Sequence, residues 1–169
     1  MDERWKPSVT VAAIASRQAG GRREYLVVEE ETADGLRLNN PAGHLEPGES
    51  LQQAVVREAL EETGRCFAPS RLVGVYLARV RLAGDARDDA TYLRFAFAGT
   101  AGDADPQRRL DKGIVGTLWL TLDELRRSRH RHRSPLVLRC VEDDLAGRHV
   151  PLDVLSTDLG LAGGPRTAA

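Results

Sequence analysis

The chain has 169 residues, enough for one domain with a hydrophobic core. Hydrophobic residues make up 41% of the sequence and charged residues 29%, a composition that excludes an intrinsically disordered chain. The formal net charge of -1 gives no overall field that would attract a nucleic acid or a membrane surface. No apolar run approaches the roughly 20 residues that a membrane-spanning helix needs.

The two cysteines, Cys66 and Cys140, do not have the spacing of a zinc site or of a disulfide framework. One bridge could join them, but two reduced thiols are the preferred interpretation. Residues 1–7 carry charge and no apolar segment of the kind found in signal peptides. We therefore expect a cytoplasmic protein, either a monomer or a homodimer, with no membrane partner.

In chain order, residues 8–15 predict a strand, residues 20–23 a turn and residues 25–29 a return strand. Asp34-Gly35 predicts a second turn before a short extended piece at residues 36–38. Residues 50–62 predict the clearest helix. Ser50 with Gln53 is a capping-box pattern, and Gly64 suits the position just past a helix end.

The second half predicts three strands, at residues 72–82, 92–98 and 114–120, with residues 83–90 joining the first two. Thr121 and Glu124 form another capping box that begins a short helix. Ser134 as the cap, with Pro135 as the first helical residue, begins a last helix that runs to about residue 145. Because hairpins and helices alternate irregularly, we predict one α/β domain over 1–169, with its core at about 8–155, a sheet that need not be all parallel and a frayed tail at 160–169.

Three glutamates share one face of the predicted helix, because Glu58, Glu61 and Glu62 fall within an arc of about 100° at ~100° per residue. They lie in its last turns, where the helix dipole costs each negative charge about 0.3–1 kcal/mol. Arg57, four residues before Glu61, offsets part of that cost. A divalent cation would offset more, and carboxylate ligands suit Mg²⁺ or Mn²⁺. From the helix alone, a solvated acidic helix end explains the pattern equally well.

Residues before and after the helix decide between these explanations. The following seven positions resemble, in identity and spacing, the signature box of the Nudix hydrolase family: Gly43, Glu49, Arg57, Glu58, Glu61, Glu62 and Gly64. Two variable positions depart from it, because Ala59 and Arg65 stand where the family prefers bulky aliphatic residues. Arg65 is the less expected of the two, since that position usually enters the core.

The resemblance extends outside the box to a bacterial phosphatase subfamily, through residues 39–46, 93–95, 119, 133–137 and 150–152. It implies an α/β/α sandwich with a mixed sheet. It also implies hydrolysis of nucleoside di- and triphosphates or of thiamine-pathway pyrophosphates, notably hydroxymethylpyrimidine pyrophosphate. An RNA-directed or dinucleoside polyphosphate hydrolase is the alternative. The retained box glutamates disfavour a non-catalytic nucleotide-sensing domain.

By this resemblance, Glu58 and Glu62 are the main metal ligands, with Glu61 beside them and Gly43 contributing a backbone carbonyl or a close approach. Magnesium is the expected cofactor and manganese the alternative. The resemblance further implies that Arg57 orients the carboxylates.

Glu49 either holds Arg57 through a salt bridge or adds to the acidic cluster, and it is also a candidate for substrate contact. Glu61 is the favoured general base, with Asp111 in reserve. Three further loop carboxylates are available: Asp85, Asp88 and Asp89.

Two cationic side chains outside the helix are candidates for substrate binding. Arg94 lies in an otherwise apolar strand, where it either binds phosphate in a bidentate manner or is simply exposed. His44 follows the box glycine and either contacts a substrate phosphate or is a hydrogen-bonded loop histidine. Tyr92 and Phe95 either stack on a substrate ring or belong to the core.

Residues 126–133 hold five arginines and two histidines. This basic segment either binds RNA or a phosphate tail, or is a solvated loop. The solvated loop is preferred, because no aromatic residue is interleaved with the charges.

Overall fold

The computed structural model describes residues 5–80 and 90–158. Its seven strands are β1 (Ser8–Ala19), β2 (Arg22–Thr32), β3 (Gly35–Asn39), β4 (Ala42–His44), β5 (Arg65–Val80), β6 (Ala90–Ala104) and β7 (Ile114–Thr121). Its α-helices are α1 (Leu51–Thr63), α2 (Leu122–Arg127) and α3 (Leu136–Leu145). The predicted frayed tail and the aspartates Asp85, Asp88 and Asp89 lie outside the described residues.

The sheet is mixed, as predicted. Its main path runs β3-β2-β1-β6-β5, with β4 paired to β1 and β7 paired to β2. Strands β1 and β6 are parallel, whereas the other described pairs are antiparallel. The first half of β1 pairs with β4 and β6, and its last four residues pair with β2. One strand therefore joins the two halves of the sheet.

Helices cover both faces of the sheet and complete the predicted α/β/α sandwich. Helix α1 buries Ala54 and Val55 against one face, in a cluster that includes Phe97. Helix α3 buries Cys140 and Val141 against the other face. Alternate side chains of β1 pack in the two core clusters, because successive residues of a strand point to opposite faces. None of the helices within residues 5–80 and 90–158 is long and apolar enough to cross a membrane.

Both predicted capping boxes are present. The Ser50 hydroxyl accepts from the Gln53 N–H at 3.2 Å, and the Gln53 side chain accepts from the Ser50 N–H at 2.8 Å. Gly64 ends α1 in the left-handed conformation, with φ of 65°, and its N–H donates to the Leu60 carbonyl. Thr121 and Glu124 make the equivalent exchange at the start of α2. These contacts satisfy backbone groups that helix ends otherwise leave without partners.

Several predicted boundaries are wrong. Strand β1 runs to Ala19 and not to residue 15, β2 begins at Arg22 inside the predicted turn, and β6 runs to Ala104 and not to residue 98. Strand β5 begins at Arg65, seven residues before the predicted start at Leu72, and register shifts occur between Arg65 and Phe67, Pro69 and Arg71, and Leu72 and Gly74. Such bulges let a strand continue past a proline and a glycine that interrupt its sequence pattern. Helix α3 begins at Leu136 and not at Pro135, although the Ser134 hydroxyl still accepts the Leu136 N–H at 3.3 Å.

The two departures from the box pattern are accommodated differently. Ala59 is buried, at 2% exposure, in the cluster beneath α1. Arg65 is half-buried and donates from Nη1 to the Gly102 carbonyl at 2.9 Å. Its guanidinium lies 5.7 Å from the centroid of the Trp119 ring, which the Arg17 guanidinium also approaches at 4.3 Å. The Arg65 guanidinium therefore lies near an aromatic ring. A cation is more stable there than in a purely aliphatic environment.

Cys66 and Cys140 are both free thiols, and only Cys66 is exposed. Burial raises the pKa of Cys140 to about 11, so at pH 8 only about a thousandth of this thiol is in the reactive thiolate form.

We therefore expect a chromogenic disulfide reagent at pH 8 to label one thiol per native chain and two after denaturation. Cys66→Ser should reduce native labelling to near zero. Rapid labelling of two thiols in the native wild-type protein would contradict this assignment.

Candidate functional site

The acidic end of α1 is folded into the molecule and is not a solvated helix end. Glu58 and Glu62 are each only 9% exposed, whereas the Glu61 side chain retains 34% exposure. A carboxylate is rarely buried without a cation or several donors nearby. The helix therefore buries two carboxylates, and neighbouring donors or cations must offset the free-energy cost of their desolvation.

Strand β4 receives both buried carboxylates. The Glu62 carboxylate accepts the Ala42 N–H at 2.9 Å. A Cβ atom on residue 43 would lie 2.1 Å from Cδ of Glu58, so only glycine lets that carboxylate rest against the strand. This close approach places the Gly43 backbone beside the acidic cluster.

Arg57 connects most of the box. Its Nε and Nη2 donate to the two Glu49 oxygens at 3.0 and 2.7 Å. Its Nη1 donates to Glu58 at 2.8 Å and to Glu61 at 2.9 Å. The remaining donor of Nη2 reaches the His44 carbonyl at 2.9 Å. One planar guanidinium thus fixes the helix, the loop before it and the end of β4, a geometry that the fork of arginine permits and lysine does not.

The pKa values report where charge remains uncompensated. The hydrogen bond from Arg57 lowers the pKa of Glu49, and the same bond raises the pKa of Arg57. Burial raises the pKa of Glu58 in spite of Arg57. Burial, followed by the charges of Glu58, Glu30 and Asp111, raises the pKa of Glu62 to about 8 against the opposing hydrogen bond from Ala42. The ionised forms of Glu58 and Glu62 are therefore disfavoured in the metal-free protein, and a bound cation would favour them.

The donor set fits a hard divalent cation, which binds oxygen ligands and favours the ionised form of carboxylates. Within the described residues, no three histidine, cysteine or carboxylate side chains already converge at the distances that an ion requires. Nη1 of Arg57 holds Glu58 and Glu61 toward itself, while Glu62 is turned to β4.

The segment after β6 brings Asp111 to the box. The Asp111 N–H donates to the Glu61 carbonyl at 3.1 Å, and the Asp105 N–H donates to the Gly64 carbonyl at 2.9 Å. The charge of Asp111 contributes to the raised pKa values of Glu58 and Glu62. The carboxylate held in reserve as a base is therefore near the cluster and exposed to solvent.

Arg94 is half-buried and is not an exposed strand residue. In the register of the sheet it lies in one row with His44 of β4, Thr10 of β1 and Tyr76 of β5. Directly paired residues point to the same face, so these four side chains share one side of the sheet. Nε and Nη1 of Arg94 are closed to solvent and have no hydrogen-bond partner among the described residues. Burial lowers the pKa of Arg94, and the charges of Cys140, Glu30 and Glu62 oppose that shift.

The two aromatic candidates separate. Tyr92 is two residues before Arg94 on the same face, and its ring centroid lies 6.2 Å from that of His44. Phe95 faces the other way and packs with the cluster beneath α1. Only Tyr92 is therefore positioned beside Arg94 and His44.

Sequence reasoning did not single out three buried polar residues. Thr10, Asn39 and Asn40 are more than nine-tenths buried, and each has a side-chain oxygen without a partner among the described residues. Asn39-Asn40 directly precedes Pro41 at the box entrance, which was a signal that the sequence offered. Thr10 gave none, because threonine is common in strands.

The basic segment at 126–133 is largely engaged within the protein. Arg126 pairs with Glu142, Arg131 with Glu29 and Arg133 with Glu30. The Arg133 N–H also donates to the Leu38 carbonyl at 2.9 Å. These contacts tie the segment to α3, β2 and β3, which favours a structural role over nucleic-acid binding.

Comparison with known proteins gives a consistent result. The chain matches the NUDIX domain over residues 6–140. It is 34% identical over 152 residues to the phosphatase NudJ of Escherichia coli (strain K12), covering 89% of this chain and 92% of the relative.

Two solved structures share the architecture. A NUDIX hydrolase from Nitrosomonas europaea is 47% identical with a TM-score of 0.80, covering 90% of this chain and 97% of that one. The NUDIX domain of Shewanella oneidensis NrtR, complexed with ADP ribose, has a TM-score of 0.64 at 16% identity, covering 85% and 89% of the two chains, and shows the shared fold alone. Together with the retained box, these similarities establish that the chain belongs to the Nudix hydrolase family and is an enzyme that hydrolyses diphosphate linkages.

Proposed function

We propose that the chain is a magnesium-dependent hydrolase of small pyrophosphate substrates, with manganese as an alternative cofactor. The candidate substrates are nucleoside di- and triphosphates and heteroaryl pyrophosphates such as hydroxymethylpyrimidine pyrophosphate. The observation that carries the proposal is the burial of the Glu58 and Glu62 carboxylates against β4, together with Arg94, whose Nε and Nη1 have no partner among the described residues and on which the charge of Glu62 acts. An acidic cluster attracts a cation, and a buried guanidinium attracts a phosphate.

In this proposal Glu58, Glu62 and Glu61 hold the cation, together with the Gly43 backbone. When bound, the cation polarises a phosphoryl oxygen and makes water more acidic. Arg57 keeps the carboxylates in position through its contacts with Glu49, Glu58 and Glu61.

Glu61 is the proposed general base, because it is the most exposed of the three helix carboxylates and can be approached by water. Asp111 remains in reserve, since the loop places it near the same cluster. Arg94 and His44 are the proposed contacts for substrate phosphate, because they share a row that begins next to Gly43. Glu49, also a candidate for substrate contact, is engaged on both oxygens by Arg57, so we assign it to holding that guanidinium.

The 34% identity to the phosphatase NudJ supports a phosphate-releasing hydrolase. The ion pairs of the basic segment support a small substrate over an RNA-directed or dinucleoside polyphosphate hydrolase. The two free thiols accord with a cytoplasmic location, where cysteines stay reduced.

The first prediction concerns the cation. Glu58→Gln should lower kcat by roughly a hundredfold or more, because an amide cannot replace a charged ligand at a metal centre. Its melting temperature without metal should not fall, since the ionised carboxylate is unfavourable where it is buried. Millimolar Mg²⁺ should raise the melting temperature of the wild type more than that of the variant.

Glu31→Gln is the matched control, because Glu31 is an exposed glutamate outside the cluster. It should retain wild-type rates and the wild-type response to Mg²⁺. A Glu58→Gln protein with full activity in saturating Mg²⁺ would remove Glu58 from the set of essential ligands.

The second prediction concerns Arg94. Arg94→Ala should raise KM for a pyrophosphate substrate by about tenfold or more, the usual loss for a charge-assisted hydrogen bond of roughly 1.5–3 kcal/mol. Arg94→Lys should fall between the two, because lysine keeps the charge without the fork. Arg22→Ala, at an exposed arginine of β2, is the control. An unchanged KM accompanied by a large fall in melting temperature would reassign Arg94 to a structural role.

The third prediction concerns substrate choice. In a phosphate-release screen, hydroxymethylpyrimidine pyrophosphate or a nucleoside di- or triphosphate should exceed diadenosine polyphosphates and capped RNA in kcat/KM by at least tenfold. That ratio corresponds to about 1.4 kcal/mol of differential transition-state binding. The reverse preference by the same margin would defeat the small-substrate proposal and leave the family assignment intact.

A further inference from the structure

Thr10 is a buried polar residue without an assigned role. Its side chain is 5% exposed, and its hydroxyl oxygen has no hydrogen-bond partner among the described residues. Leaving a buried hydroxyl without a partner costs free energy, so an orphaned hydroxyl beside a functional site calls for a ligand. Val9 and Val11, on either side of it in the sequence, point to the opposite face of the strand.

The register of the sheet places Thr10 between the two proposed phosphate contacts. His44 of β4 is its direct partner on one side, and Arg94 of β6 is its direct partner on the other. Neighbouring strands lie about 4.8 Å apart, so the Thr10 side chain lies within one strand spacing of each. Arg94 itself presents two donors without partners at this place.

We propose that the Thr10 hydroxyl is a substrate-positioning group that donates a hydrogen bond to the phosphoryl group held by Arg94. A hydroxyl can donate one hydrogen bond, and a tetrahedral phosphoryl group offers several acceptor oxygens to neighbouring donors. A single phosphoryl group on the row then satisfies the orphaned groups of Thr10 and Arg94 together. This inference rests on the proposed binding of substrate phosphate by Arg94.

The charged groups around Arg94 also bear on its proposed contact with phosphate. Burial lowers the pKa of the Arg94 guanidinium, and the charges of Cys140, Glu30 and Glu62 oppose that shift. His44 follows Gly43 in the sequence, but the row and the Glu58 carboxylate lie on opposite faces of β4, because Gly43 pairs with Val11 of the cluster beneath α1. The charge of Glu62 acts on Arg94, so a phosphoryl group bound at Thr10 and Arg94 lies within electrostatic reach of the acidic cluster.

The experiment is the comparison of Thr10→Val with Thr10→Ser. Valine keeps the branched shape and removes the hydroxyl, whereas serine keeps the hydroxyl. Thr10→Val should raise KM about tenfold for the pyrophosphate that the wild type cleaves fastest, with kcat changed less than twofold. Thr10→Ser should stay near the wild type. Thr100→Val, at an exposed threonine of β6, is the matched control.

A second readout requires no turnover. Binding of inorganic phosphate, measured by calorimetry, should weaken about tenfold in Thr10→Val and remain unchanged in Thr10→Ser. The melting temperature of Thr10→Val should not fall, because the removed hydroxyl has no partner to lose. A structural role would give the opposite result, a lower melting temperature with unchanged phosphate binding.

The outcomes separate the two proposals. Wild-type KM and phosphate affinity in Thr10→Val, alongside impaired Arg94→Ala, would overturn the role of Thr10 and leave the proposed function standing. A raised KM with unchanged phosphate affinity would also overturn it, because Thr10 would then contact another part of the substrate. Failure of the wild type to cleave any pyrophosphate in the screen would defeat the proposed function itself.

Discussion

The five contacts of the Arg57 guanidinium are the interaction on which the site depends. They join the loop before α1, the helix itself and the end of β4. Burying Glu58 and Glu62 without that cation would leave the acidic end of the helix against a backbone with few donors. Because Glu49 supplies a second anion to Arg57, the guanidinium stays charged while it is shared. The network thus keeps the carboxylates in place, where a cation would favour their ionised forms.

The sheet provides the second half of the site through its register. Strand β1 pairs with β4 and β6 over its first half, so residues far apart in sequence line up across three strands. His44, Thr10 and Arg94 owe their proximity to this pairing and not to any local motif. The acidic helix and the row of Arg94, Thr10 and His44 therefore both border β4. Gly43 of this strand faces α1, and His44 belongs to the row on the other face. In the proposed site, the carboxylates of α1 would bind the cation and Arg94 would bind the phosphate of the substrate.

Local patterns in the sequence predicted much of this arrangement. Ser50 with Gln53, Thr121 with Glu124, and Gly64 each specify a helix end through contacts within a few residues, so the boundaries of α1 and α2 were predictable. The start of β5 was not, because bulges near Pro69 depend on pairing with β6. Thr10 was missed for the same reason: its significance depends on partners 34 and 84 positions away, at His44 and Arg94. Asn39 and Asn40 were visible as part of the entrance, but only burial shows that their oxygens lack partners.

The contact between Gly43 and the Glu58 carboxylate has a consequence for how this site can change. Even the smallest side chain at residue 43 would occupy the space of that carboxylate, only 2.1 Å away. The flexible end of Glu58 would move first, while the strand and the helix could remain as they are. If Glu58 holds the cation as proposed, activity would be lost through a methyl group that alters no charge, no hydrogen-bonding group and no buried core residue. A search for inactivating substitutions confined to ionisable residues would overlook this position.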